Sequence, residues 1–163
     1  MDAMFIYKIA NFFDRNHMRF LGKVFVYINY FLHNSYIPSG CQIGKTSEFA
    51  YGGIGLVIHD NVRIGEGCII GQGITIGGRN EIKEVPVIED NVYISAGARI
   101  VGNVKIGHDS IIGANAVVLI DIPPYSVVAG VPGKIIAKIT KKSFEEKYQF
   151  YHGPKKYSDD DSL

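Results

Sequence analysis

Aliphatic residues return at every sixth position over most of this chain. Ile58, Ile64, Ile70 and Ile76 open the series, and Ile82, Ile88, Ile94, Ile100, Ile106, Ile112 and Val118 continue it in phase. Upstream, Ile37, Ile43 and Phe49 keep the same period but stand three residues out of step. Two residues before the repeat position a small or apolar residue recurs, as at Cys41, Leu56, Val62, Cys68, Ile74, Val92, Ala98, Val104 and Ala116; Ser110 fills that slot once. The residue after it is often glycine: Gly44, Gly65, Gly71, Gly77, Gly107 and Gly113. Such a period suits neither an α-helix nor an alternating strand. It suits a coil with three flat faces, each one short strand and one turn. The aliphatic side chain points inward, and the glycine is expected to ease the turn at the corner. Residues eighteen apart then stack, and backbone groups pair with the coils above and below. The pattern predicts an all-β solenoid, a left-handed parallel β-helix over residues 36–136.

Two irregularities interrupt it. A three-residue phase slip lies within Phe49 to Val57 (FAYGGIGLV). The stretch Gly78 to Val87 (GRNEIKEVPV) is richer in charge and contains Pro86, and it reads as a loop, 78–87, projecting from one face. Loops on a rigid scaffold are where function concentrates. Residues 1–35 form an N-terminal segment whose positions 3–34 read as one or two helices with an aromatic stripe. The stretch 121–134 reads as extended and turn-rich. Residues 137–163 read as a charged helix to Tyr151, then a disordered acidic tail.

The 163 residues suit one domain with short helical appendages, and 47% hydrophobic with 20% charged residues is a soluble balance. A net charge of +1 implies no basic surface, so nucleic acid is not an expected partner. The 19 glycines with abundant Ile and Val agree with short strands and frequent turns. Cys41 and Cys68 both fall at inward positions and read as core packing in a reducing compartment. No Cys/His cluster has metal-ligand spacing, so no metal is expected. The N-terminus has no secretory signal pattern, and Phe20 to Tyr36 is too short and too polar for a membrane span. That segment is expected to cover the end of the β-helix, with weak association with a membrane surface as the alternative. A cytoplasmic protein is expected, at most touching the inner face of the membrane.

The hexads, the segment Ile70 to Gly78 (IGQGITIGG) and the exit Pro123 to Ile136 (PPYSVVAGVPGKII) together resemble the hexapeptide acyltransferases. The likeness covers residues 36–136, and the branch it resembles is the serine acetyltransferase-like one, which includes surface-polysaccharide O-acetyltransferases. The resemblance implies a homotrimer with acetyl-CoA in a groove between neighbouring subunits. By the same resemblance, backbone groups at Gly77, Gly78, Ala96, Gly97, Ala114, Val131 and Pro132 hold the pantetheine arm, and Lys134 approaches the nucleotide phosphates. The chain also departs from that pattern. Where serine acetyltransferases carry an Asp-His pair before the slip, it has Ala50-Tyr51. Where they carry a second histidine before the loop proline, it has Val85. A sugar hydroxyl is therefore expected as acceptor in place of serine.

Acetyl transfer from a thioester to an alcohol needs a base at the hydroxyl and a donor for the developing oxyanion. Histidine is the usual base. His17, His33 and His152 lie in the flanking segments, and His108 sits in a turn (IGHDS) where polar residues are routine. His59 follows Ile58 in the glycine position of its hexad, one coil below Gly77 at the root of the loop. It is the expected general base, with Asp60 to orient it or contact the acceptor. Tyr51, expected one coil below Gln72, is the candidate to bind the acceptor or the thioester oxygen. The sequence thus predicts an acetyl-CoA-dependent O-acetyltransferase acting on a sugar of a surface polysaccharide or its precursor. The alternatives are a serine O-acetyltransferase-like enzyme of small molecules, a non-catalytic trimeric scaffold, and a zinc enzyme with histidines at subunit interfaces.

Overall fold

Each hexad folds as its period predicts, into a strand of two or three residues followed by a turn. The computed structural model describes residues 2–79, 84–140, 142–144 and 146. The first face of the coil holds β1 (Gln42–Ile43), β4 (Arg63–Ile64), β7 (Val87–Ile88) and β10 (Lys105–Ile106), all parallel. The second holds β2 (Glu48–Phe49), β5 (Ile69–Ile70), β8 (Tyr93–Ile94), β11 (Ile111–Ile112) and β13 (Ser126–Ala129), with β14 (Lys134–Lys138) antiparallel at its edge. The third holds β3 (Val57–Ile58), β6 (Thr75–Gly77), β9 (Arg99–Val101) and β12 (Val117–Val118). The fold is a left-handed parallel β-helix.

The register explains both irregularities. Val57 pairs with Thr75 and Arg99 with Val117, the eighteen-residue step of three hexads. Gln42 pairs with Arg63 and Glu48 with Ile69, twenty-one residues on, because each of those coils includes the slip. Arg63 pairs with Val87, Ile69 with Tyr93 and Thr75 with Arg99, twenty-four on. The loop therefore adds exactly one hexad's length to its coil, which is why the period passes through it undisturbed. Ile82, counted in the ladder from sequence, falls in the loop and outside the described residues.

The inward ladder is fully buried: Ile58, Ile64, Ile70, Ile76, Ile88, Ile94, Ile100, Ile106, Ile112 and Val118 are each at most 4% exposed. Each contributes about 2 kcal/mol of apolar burial. Cys41 and Cys68 lie in the same core as free thiols, and burial pushes them up to about 12 and about 11. Ser47 and Ser110 are tolerated inside because each hydroxyl is spoken for. Ser47 Oγ donates to the Gly65 carbonyl and accepts from Cys68 N–H, and Ser110 Oγ accepts from Ser126 N–H.

The glycines that follow the aliphatic positions do not make the turns. Left-handed backbone occurs two residues later, at Gly67, Gly73, Gly97, Asn91, Asp109 and Asn115. The earlier glycines, Gly77 excepted, are needed because the next coil lies too close: a Cβ on Gly71 would stand 2.7 Å from Ala96 N, and one on Gly44 would strike the Gly65 carbonyl.

Helix α1 (Ala3–Arg15) starts at Asp2, whose carboxylate accepts from Phe5 N–H at 2.8 Å. Its Ala3, Met4 and Tyr7 join the core and close the lower end of the coil, with Tyr7 Oη donating to the Cys41 carbonyl at 2.7 Å. Helix α2 (Arg19–His33) packs on α1 through Gly22, Val26 and Asn29. Its outer stripe stays exposed, Phe20 at 78% and Phe31 at 80%. Among the described residues no helix is long and apolar enough to cross a membrane. At the other end, Ala137 and Lys138, expected to begin a helix, belong to β14. Pairing with β13 satisfies their backbone and overrides local helix preference. The acidic tail lies outside the described residues.

Candidate active site

The three corners of the prism carry different chemistry. At the corner from third face to first, His59 lies directly beneath Gly77: its N–H donates to the Ile76 carbonyl, and a Cβ on Gly77 would meet His59 Cβ at 3.8 Å. His59 is exposed, and its Nδ1 accepts a hydrogen bond from Asn61 N–H at 3.2 Å. In the neutral ring that leaves the proton on Nε2, a donor. Asp60 does not orient it. The Asp60 carboxylate turns down to the coil beneath, where Oδ1 accepts from Gly40 N–H at 3.1 Å. Successive side chains on a strand-like segment diverge, and the lower coil offered Asp60 an unpaired donor.

At the corner from second face to third, the register also moves Tyr51. The Gly73 N–H bonds the Ile54 carbonyl, just as Gly97 N–H bonds Gln72 and Asn115 N–H bonds Ala96. Ile54, Gln72, Ala96 and Ala114 therefore form the column, so the residue beneath Gln72 is Ile54. Tyr51 sits in the extra turn Ala50–Gly53 that absorbs the phase slip, with φ of 53° and 77% exposure. It projects from the corner instead of lying within the column.

Ala96, Gly97 and Ala114 share this corner, and the exit loop closes over its top. Val117 N–H donates to the Gly130 carbonyl and Gly133 N–H to the Val117 carbonyl. Val131, 73% exposed, and Pro132 protrude there, and exposed Lys134 opens β14 beside them. Five of the predicted pantetheine contacts are thus together. Gly77 and Gly78 lie at the other edge of the third face with His59, so the chain by itself does not bring all eight predicted cofactor positions into one pocket.

The corner from first face to second holds a histidine–aspartate pair. His108 Nδ1 lies 2.7 Å from Asp109 Oδ2, and their side chains are 42% and 13% exposed. Asp109 adopts φ of 54°, which swings its carboxylate back onto the neighbouring ring. Tyr125 packs edge-on against that ring, centroids 5.1 Å apart. Below, Glu89 accepts from His108 N–H at 2.9 Å and pairs with Lys105 at 2.6 Å. Bonding to Lys105 first, then to His108 N–H, holds the Glu89 carboxyl below its ordinary range. The detectable signal in sequence was a His-Asp dipeptide whose second residue stands in the turn position otherwise filled by Gly or Asn. Among the described residues no three His, Cys, Asp or Glu side chains gather as a metal site.

Comparison with known proteins agrees with this architecture. Residues 86–119 match the family described as "Bacterial transferase hexapeptide (six repeats)". The serine acetyltransferase of Bacillus subtilis (strain 168) is 33% identical over 144 residues, 87% of this chain and 66% of that protein. That of Staphylococcus xylosus is 38% identical over 136 residues, 82% of this chain and 62% of its own length. The chain thus spans under two thirds of the length of these relatives. Among solved structures, serine acetyltransferase from Vibrio cholerae O1 biovar El Tor N16961 superposes with a TM-score of 0.81 at 30% identity, covering 91% of this chain and 58% of that one. The Brucella abortus strain S19 enzyme in complex with coenzyme A gives 0.81 at 26% identity, covering 85% and 56%. These likenesses favour the serine acetyltransferase side of the expected branch and lend the polysaccharide enzymes no support. The hexad ladder, the matched repeats and these relatives place the chain in the hexapeptide-repeat transferase superfamily.

Proposed function

We propose that this protein transfers an acetyl group from acetyl-CoA to a hydroxyl. The observation that carries the reading is the likeness to serine acetyltransferase over 87% of the chain, which runs through the whole coil. The corner from second face to third fits a pantetheine arm. Its column at Ala96 and Ala114 is built of small side chains that leave the backbone approachable, and Val131 and Pro132 form an exposed wall above. Gly77 and Gly78 would complete the groove when copies assemble as a homotrimer, and Lys134 stands where a phosphate would be neutralised. Acetyl-CoA supplies an activated carbonyl. The chain's part is to orient it, to donate to its oxygen and to take the acceptor's proton. His59, with its proton on Nε2, is suited to the donor role, and exposed Tyr51 to contact with the acceptor or the same oxygen. Asp60 keeps the lower coil in register.

The relatives' names make serine the first acceptor to try. A second reading, a sugar hydroxyl in place of that of serine, is favoured by Ala50-Tyr51 and Val85, which stand where the serine enzymes' pattern has histidines. The test is release of free CoA thiol from acetyl-CoA with L-serine or N-acetyl-D-glucosamine added. Faster release with serine supports the serine type, and faster release with the sugar supports the second reading. No stimulation by either would count against transfer to these hydroxyls.

A further inference from the structure

Helix α2 is apolar on two opposite sides. Gly22, Val26 and Asn29 face α1. On the other side Phe20, Val24, Tyr27 and Phe31 follow one another at steps of four, three and four residues, which sets them in one stripe along the helix. All four are exposed. Phe12, near the end of α1, and Met18, in the turn between the helices, are exposed as well. A helix that is apolar all round is ordinarily buried, and among the described residues nothing covers the outer side of this one.

Charge says what kind of partner fits there. Helix α2 carries Arg19 and Lys23, both exposed, and no carboxylate. Residues 3–33 hold four cations, Lys8, Arg15, Arg19 and Lys23, against one acid, Asp14, which pairs with Arg19 at 3.7 Å. Lys8 is turned to the coil, where it donates to the Lys45 carbonyl at 3.2 Å. The rest of the chain has the opposite balance, thirteen Lys and Arg against fifteen Asp and Glu. A second α2 laid on the stripe would set cations beside cations, with no carboxylate on either helix to answer them. An anionic bilayer answers both features at once. Its headgroups neutralise Arg19 and Lys23, whose aliphatic stems reach up from the apolar boundary, and the aromatic rings enter that boundary. At 15 residues α2 is too short to cross, so it would lie along the surface.

We propose that the α1–α2 hairpin is a membrane-docking element that lays the Phe20–Phe31 stripe on a bilayer rich in anionic phospholipid. The proposal does not depend on the acetyl-transfer reading. Taken with it, the reaction runs beside a lipid surface.

Cosedimentation of the full chain with vesicles tests it. The wild type is expected to bind vesicles of equal phosphatidylglycerol and phosphatidylcholine, to bind pure phosphatidylcholine at least about tenfold more weakly, and to be released by added salt. Phe20→Ser with Phe31→Ser is expected to lower binding to the anionic vesicles by at least about tenfold, and Lys23→Gln by about fivefold. Both sites are exposed, so the variants should unfold at the wild-type temperature. If the double variant does not fold, Lys23→Gln and the salt response decide alone. No binding, equal binding to the two lipids, or anionic binding that the folded double variant retains overturns the proposal. So does a wild type that ignores vesicles yet sediments as a larger assembly than the double variant, since the stripe would then join copies of the chain.

Discussion

His59 and His108 stand at two corners of the prism, two coils apart and at different positions of the hexad, and their surroundings give them opposite capacities. At the His59 corner the charged loop leaves the coil, the backbone above is open, and the neighbouring carboxylate turns away to Gly40. At the His108 corner the chain stays tight, the next residue takes a left-handed conformation, and its carboxylate folds back to 2.7 Å from the ring. What separates a proton donor from a proton acceptor here is which way one aspartate faces. Residue type does not decide it; repeat position does, because Asp109 falls in the left-handed turn position of its hexad and Asp60 one place before the corresponding position of its own.

The largest effect that sharpens this contrast is on turnover. His59→Ala is expected to slow acetyl transfer by about 100-fold, the usual cost of one oxyanion donor. The pH profile should keep its shape, because what is removed is a hydrogen-bond donor. Rates measured across pH 5 to 9 check this, and a lost acidic limb in His59→Ala would return the base to that corner.

A smaller effect concerns the coil spacing behind the contrast. Gly107→Ala, in the His108 turn, puts a Cβ against Pro124 N and is expected to cost about 1–3 kcal/mol. Gly77→Ala meets only His59 Cβ at 3.8 Å and is expected to stay within about 0.5 kcal/mol. Denaturant unfolding of the two variants measures both. Equal losses would mean that the two corners are equally tight.

The smallest effect is the pH response of Glu89, which supports the His108 turn. Its carboxyl titrates lower in the folded chain than in the unfolded one. Its contribution is therefore complete above the ordinary carboxylate pKa of 4.5 and is lost as pH falls through the lower, folded value. Because Glu89 is partly exposed and paired with a solvent-facing lysine, the loss is expected to be slight. Glu89→Gln should flatten that part of the stability profile, and an unchanged acid slope would remove Glu89 from the account.

The fold was legible because burial enforces the period: every sixth side chain must be aliphatic and every third hexad must stack. The slip was legible because it disturbs a regular count, and the loop because its charge and Pro86 stand out while the period runs on through it. The corners were less so. The spacing showed glycines but could not distinguish a glycine that turns from one, like Gly71, that only makes room for the coil above. Counting alone placed Tyr51 beneath Gln72, whereas the chain extrudes Ala50–Gly53 and leaves Ile54 there. Lys134–Lys138 lacks strand alternation and becomes a strand only because β13 presents an open edge. The hexad marks Asp109 as a left-handed turn position, but the spacing does not show that its carboxylate folds back onto His108.

A calorimetric titration of the wild-type protein with acetyl-CoA tests the central claim most directly. The account predicts saturable binding in the micromolar range usual for enzyme substrates, weakened by Ala114→Trp at the pantetheine corner and unchanged by His108→Asn. No detectable binding to the wild type would contradict it and leave the coil as a scaffold.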